Sequence, residues 1–193
     1  MSDVFGLLGT TITSFDIILT LRQRYMEAKE VPGAFPEVLQ RMEIARRTLQ
    51  KVQDKASNGI PSDDDGVTLQ LVQACKEKTD KLEVIFDKAA PVEGASPIKK
   101  YRRILEHMKN SEKVEDLAKS IFRDLQILTQ RWSMDAVTQS ELKEALEKLE
   151  QVEPSIRDSA STVYGSGVIL HNYSTVRPVP DIPSPLASTV DII

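Results

Sequence analysis

Apolar side chains recur in alternating steps of three and four through about the first 150 residues, the period of helices that each bury one face. The first such segment runs from Ser2, a candidate N-cap, to about Glu30. It carries Phe5, Leu8, Ile12, Phe15 and Leu19 as one stripe. Val4, Leu7, Ile17, Ile18 and Leu21 add apolar groups beside it, and Asp16 is the only charge between Val4 and Arg22, so this helix is greasier than a simple packing face requires. After Pro32 and Gly33, a second helix shows Phe35, Val38, Met42, Ala45, Leu49 and Val52, with Arg41, Arg46, Arg47 and Lys51 elsewhere on its surface. A loop from Ser57 to Pro61 ends it. Ser62, followed by Asp63, Asp64 and Asp65, offers a cap and N-terminal acids to a third helix reaching about Ala90, with Leu69, Val72, Cys75, Thr79, Leu82 and Phe86 along one face.

Residues 91–97 read as a loop, and a short basic helix from Lys99 to Asn110 follows, carrying Tyr101, Ile104, Leu105 and Met108. Ser111 is a candidate cap for a helix presenting Val114, Leu117, Ile121, Leu125, Leu128 and Trp132. Thr138 and Glu141 have capping-box spacing ahead of a last helix with Leu142, Leu146 and Leu149 inward, and Pro154 closes the pattern. The expectation is an all-α fold: an irregular bundle of five to six amphipathic helices over residues 1–154, with no repeat at solenoid periods. Residues 155–193 lose the helical period, gain Ser, Thr and a cluster of prolines, and read as a disordered, flexible C-terminal tail.

Aromatic residues are 5% of the chain and the body is stocked with helix formers, in keeping with the all-α class. The net charge of -4 supplies no basic footprint for nucleic acid, which is not an expected partner. Cys75 is the single cysteine, so no intramolecular disulfide or thiolate cluster forms, and a reducing compartment fits. The N-terminus lacks the basic region and cleavage pattern of a secretory signal, and cytoplasmic residence is the default.

Phosphate loops, dinucleotide-binding glycine motifs and zinc-protease motifs are missing from the chain. His107 and His171 stand apart from each other and have no neighbouring Cys or His, so a metal site would have to collect carboxylates from several helices. Cys75 could in principle act as a nucleophile paired with His107, but its place on the apolar stripe of the third helix reads instead as a small buried hydrophobe. The acids at 63–65 and Glu144 with Glu147 read as helix-start electrostatics and a solvated face. No enzymatic activity, cofactor or metal is expected.

Two stretches carry functional weight. Val4 to Leu21 supplies about 18 residues with one acid, at the lower limit for crossing a bilayer and diluted by Gly6, Gly9, Thr10, Thr11, Thr13 and Ser14. The same composition suits a central bundle helix buried nearly all round, and both readings can hold in different states. In the tail, Val163, Tyr164, Val168, Ile169 and Leu170 are β-formers in a run without charge from Ser159 to Val176, with Gly165 and Gly167 permitting tight bends; stacking of like strands and docking as a linker strand both fit.

The body resembles the fungal SesA-type, HeLo-like domain found at the N-termini of NACHT and related P-loop NTPases. The resemblance rests on Val4 to Ile12 (VFGLLGTTI), Gly33 to Val38 (GAFPEV), Arg47 to Gln50 (RTLQ), Ala74 to Phe86 (ACKEKTDKLEVIF), Val114 to Ile121 (VEDLAKSI) and Leu125 to Leu128 (LQIL), over roughly residues 1–154. It implies a non-enzymatic effector or signalling module of fungal NLR-like immunity or heterokaryon incompatibility. Partners implied are a NACHT or P-loop NTPase receptor, like effector chains forming a homo-oligomer on activation, and membrane lipid, with plasma-membrane association on activation. The implied membrane-insertion residues are Val4, Phe5, Leu7, Leu8, Ile12, Phe15, Ile17, Ile18, Leu19 and Leu21. Proteins of this group carry short amyloid-type signalling motifs, to which Tyr164, Gly165, Gly167, Val168, Ile169, Leu170 and Asn172 are similar, although Ile169 stands where Gln is expected and Leu170 and His171 replace amides. With no NTPase domain following, the expectation is an effector standing alone or a truncated receptor. The alternative is a helical adaptor that binds a partner protein and has no membrane activity.

Overall fold

The computed structural model describes residues 2–57, 65–92, 94–107 and 112–156. The chain divides into two units, residues 1–156 and 157–193, and the second lies outside the described residues. Among the described residues are seven helices: α1 (Ser2–Thr20), α2 (Arg22–Glu27), α3 (Ala34–Ser57), α4 (Asp65–Ala89), α5 (Pro97–His107), α6 (Val114–Arg131) and α7 (Ala136–Glu150). No strand occurs among them, only an isolated bridge between Val92 and Ala95 in the loop where Gly94 takes φ +80°. The fold is all-α, as the periodicity requires.

The expected first helix is bent. At Leu21 the backbone stays helical in dihedral (φ -83°, ψ -13°) but tightens, its N–H donating to the Ile18 carbonyl at 3.1 Å, and Tyr25 N then reaches the Leu21 carbonyl at 3.2 Å. The tightened turn keeps Leu21 and Tyr25 facing the core beyond the run of α1. Taken as one bent rod, α1 and α2 leave six rods, the upper end of the five to six expected. The rod stops at Glu27, earlier than Glu30, because Ala28 is extended and Glu30 has φ 58°.

At the centre lie α3, α4 and α6. α1 packs against α3 and α4, α7 against α3 and α6, and α5 against α4. Phe35, Val38, Met42, Ala45, Leu49 and Val52 of α3 are buried, as are Val72, Cys75, Thr79, Leu82 and Phe86 of α4 and Val114, Leu117, Ile121, Leu125 and Leu128 of α6. At one end an aromatic cluster joins four elements. Phe35 meets Tyr25, Phe86 and Tyr101 at centroid separations of 5.4, 5.0 and 4.8 Å, and Tyr25 meets Phe86 at 5.6 Å.

Two helix starts differ from the sequence pattern. α7 begins at Ala136, where Asp135 is the N-cap: its carboxylate accepts from the Thr138 amide at 2.9 Å and the Thr138 hydroxyl at 2.7 Å. Thr138 is therefore capped rather than capping, and Glu141 pairs with Arg47 at 3.7 Å instead of closing a box. α6 follows Lys113, which makes no side-chain cap, and the Val114 N–H donates to the Tyr101 hydroxyl at 3.1 Å. The candidate caps Ser62 and Ser111 lie outside the described residues.

Candidate functional site

α1 has two faces. Val4, Leu8, Ile12, Phe15 and Ile18 are buried against α3 and α4, continued past the bend by Leu21 and Tyr25. Leu7 and Leu19 are half-buried at the margins, whereas Phe5 and Ile17 are 47% and 41% exposed. The ten insertion candidates are thus split between core, margin and solvent. The stripe differs from the one read in sequence, with Val4 and Ile18 inward in place of Phe5 and Leu19. At 100° per residue a one-position error rotates the face by more than a quarter turn. The picture of a central helix buried nearly all round is also corrected: α1 lies on the surface of the α3–α4 pair and has no packing against α6 or α7.

Polar contacts hold α1 down on both flanks. Asp16, its one acid after Val4, is paired with Arg46 of α3, which also approaches Glu43 at 3.9 Å. Ser14 Oγ donates to Asp80 Oδ1 of α4 at 3.0 Å, and Asp80 is held in turn by Lys76 at 2.6 Å. Gly9 allows a close approach to α3, since a Cβ there would sit 3.3 Å from Gln53 Nε2. Arg46, Gln53 and Asp80 were not singled out in the sequence. The signal that could have found Arg46 is the solitary charge of Asp16 in an otherwise apolar run, which calls for a counter-ion on a neighbouring helix.

The threonines of α1 are satisfied within the helix. The hydroxyls of Thr10 and Thr11 donate to the Leu7 carbonyl at 2.9 and 2.7 Å, Thr13 to Gly9 at 3.0 Å and Thr20 to Ile17 at 2.7 Å. The bent rod from Val4 to Glu27 is long and apolar enough to cross a membrane by length and composition, with less than half of its most apolar window buried.

A second polar device joins α5 and the start of α6 to the residues that follow α7. Tyr101 Oη lies 3.0 Å from Ser155 Oγ, Ser155 N donates to Glu115 Oε1 at 2.9 Å, and Lys113 Nζ donates to the Ile156 carbonyl at 3.2 Å. Ser155 and Ile156 are thereby fastened to the start of α6, beside the aromatic cluster.

Cys75 is buried, and burial, reinforced by Asp124, pushes its thiol up to about 12, the opposite of an activated nucleophile. His107 is exposed at the end of α5, its Nδ1 engaged 2.7 Å from the Arg103 carbonyl. Among the described residues no group of three His, Cys, Asp or Glu is placed to hold a metal ion. The tail candidates Tyr164, Gly165, Gly167, Val168, Ile169, Leu170 and Asn172 lie outside the described residues.

Fold and site together define an all-α bundle module with an apolar N-terminal helix laid on its surface. A family model matches residues 2–128: SesA, the N-terminal domain on NACHT NTPases and P-loop NTPases. The chain belongs to this family, and membership ties it to NACHT-linked, NLR-related signalling. The match ends near the end of α6, while α7 completes the packing beyond it. No curated protein and no solved structure matches the chain.

Proposed function

We propose that the chain is a non-enzymatic effector module of a NACHT or P-loop NTPase receptor system, and that clustering of several copies frees α1 to act at a membrane. One observation carries the reading: α1 buries one apolar face, carries Phe5 and Ile17 on its solvent side, lies against α3 and α4 alone besides α2, and satisfies its threonine hydroxyls internally. Phe5 and Ile17 give the released helix apolar groups outside its core face. Lipid cannot hydrogen-bond a hydroxyl, so threonines already bonded to their own backbone enter it at low cost.

The energetics argue that a monomer stays closed. Exposing Val4, Leu8, Ile12, Phe15, Ile18 and Leu21 costs on the order of 10 kcal/mol, at about 1.5–3 kcal/mol per side chain. Ten apolar residues between Val4 and Leu21 return about 3–6 kcal/mol on insertion, and Asp16 takes back about 3. Release therefore needs a second contribution, which the proposal assigns to self-association seeded through the tail from Tyr164 to Asn172 by a receptor partner. Resting chains are cytoplasmic, and clustered ones are at the plasma membrane.

The test is dye release from anionic liposomes by the full chain, alone and clustered through a fused dimeriser, beside a form lacking residues 1–21 whose helicity is verified by circular dichroism. Lysis by the clustered full chain and none by the truncation is expected. Absence of lysis on clustering would shift the assignment to an adaptor that binds a partner protein and does not touch lipid.

A further inference from the structure

The cations of the bundle fall into two populations. Across α3, the first two-thirds of α4, α6 and α7, lysines and arginines are mostly engaged: Arg41 with Glu37, Arg46 with Asp16, Lys78 with Asp124, Arg123 with Glu150, Lys148 with Glu144. Arg22 and Arg24 on α2, Lys29 just beyond it, Lys88 at the end of α4, and Lys99, Arg102 and Arg103 on α5 are all exposed, and none of their charged groups has a hydrogen-bond or ion-pair partner among the described residues. These elements converge, because Tyr25 of α2, Phe86 of α4 and Tyr101 of α5 all belong to the cluster around Phe35. Residues 22–30 and 83–107 hold eight Lys and Arg against six Asp and Glu, an excess of +2 in a chain of net charge -4. Unpaired positive charge is gathered at one end of an acidic molecule.

Exposed apolar groups share that end: Met26 on α2 is 59% exposed, Val84 on α4 41%, and Val92 in the following loop 62%. Its aromatic rings are buried and offer no platform on which bases stack, which disfavours single-stranded nucleic acid. Unpaired cations among exposed aliphatic side chains suit an anionic interface, where ammonium and guanidinium groups meet headgroup phosphates and the aliphatics reach the acyl boundary. The apolar run of α1 ends at Leu21, directly before Arg22 and Arg24.

We infer that this end of the bundle, formed by α2, the end of α4 and α5, is a docking surface for a membrane leaflet carrying anionic headgroups. It also sets the direction of α1. Cations after Leu21 resist translocation, so the root of α1 stays on the near side and its N-terminus enters the bilayer. This orientation rests on the membrane reading of α1; the docking surface does not.

The experiment is co-sedimentation of the full chain with phosphatidylcholine vesicles, with and without phosphatidylserine, at low and high salt, with leakage read in parallel. Wild type is expected to bind only the phosphatidylserine vesicles and to be released by salt. The Lys99→Ser/Arg102→Ser/Arg103→Ser variant should bind about 100-fold more weakly, at roughly 1 kcal/mol per cation. A charge-matched control, Arg123→Ser/Lys143→Ser/Lys148→Ser, should bind like wild type. If the α5 variant loses its helicity, Arg22→Ser/Arg24→Ser replaces it, with about a tenfold or greater loss expected. Equal loss in variant and control, no preference for phosphatidylserine, or tighter α5-dependent binding of a single-stranded RNA oligonucleotide than of vesicles would overturn the inference. Binding without leakage, even when the chain is clustered through the fused dimeriser, would sink the effector reading and leave this surface standing; leakage from both vesicle types alike on clustering would do the reverse.

Discussion

Phe5 and Phe15 lie ten residues apart in one helix and were placed on one stripe by their spacing, yet Phe15 is fully buried and Phe5 is 47% exposed. Truncating Phe15 to Ala removes a ring packed in the α3–α4 groove, and such deletions cost about 3–5 kcal/mol. For a body of this size each kcal/mol lowers Tm by about 2–4 °C, so Phe15→Ala should melt roughly 6–20 °C below wild type. Phe5→Ala removes a side chain already nearly half in water and should cost about 1 kcal/mol or less. Since α1 packs only on α3 and α4 besides α2, the Phe15→Ala loss should also be partly local. Amide exchange in residues 4–20 should accelerate more than in α6 or α7. The assay is thermal melting by circular dichroism with hydrogen exchange read by mass spectrometry. Equal destabilisation by the two substitutions, or a loss below about 1 kcal/mol for Phe15→Ala, would refute the two-faced description of α1. In the liposome assay the ranking should invert: Phe5→Ala lowers lysis at unchanged stability, while Phe15→Ala lowers the threshold for release.

Tyr101→Phe leaves the Val114 N–H without its acceptor and the Ser155 hydroxyl without its Tyr101 contact; a loss of about 1–3 kcal/mol is expected in a denaturant melt, with faster exchange at the Val114 amide. Asp135→Ala removes the N-cap of α7 and should lower Tm. The Thr138 hydroxyl and amide, with Lys51, hold the Asp135 carboxyl below its ordinary value, so its contribution is complete above about pH 4 and fades as the pH falls through the depressed folded value. The gap in Tm between wild type and variant should therefore narrow on acidification, and a gap independent of pH would contradict the cap. Cys75 should resist a maleimide at neutral pH and react only as fast as the protein opens, because burial keeps the thiol protonated; rapid labelling of the native state would be inconsistent with its position.

Much of the bundle was legible in the chain. The core faces of α3 and α6 agree with the three-four spacing almost residue for residue, because these central helices pack on several neighbours and tolerate only one polar orientation. α1 was harder to read for the opposite reason: adjacent apolar residues at Val4 and Phe5, Leu7 and Leu8, and Ile17 to Leu19 let its spacing fit more than one face. The cap of α7 was misplaced because Asp135 and Thr138 both have cap chemistry, and only the turn after Trp132 decides which carries the non-helical backbone.

By itself the sequence determined the helical class, the approximate limits of most helices, the burial of Cys75 and the existence of one unusually apolar helix. Those properties follow from side-chain period and local backbone preference, which act within a few residues. Tertiary structure alone decided that α1 lies at the edge rather than the centre, that Arg46 and Asp80 fasten it, and that the unpaired cations of α2, α4 and α5 gather around one aromatic cluster. These depend on which helices become neighbours, and contacts between residues tens of positions apart leave no periodic mark in a single chain.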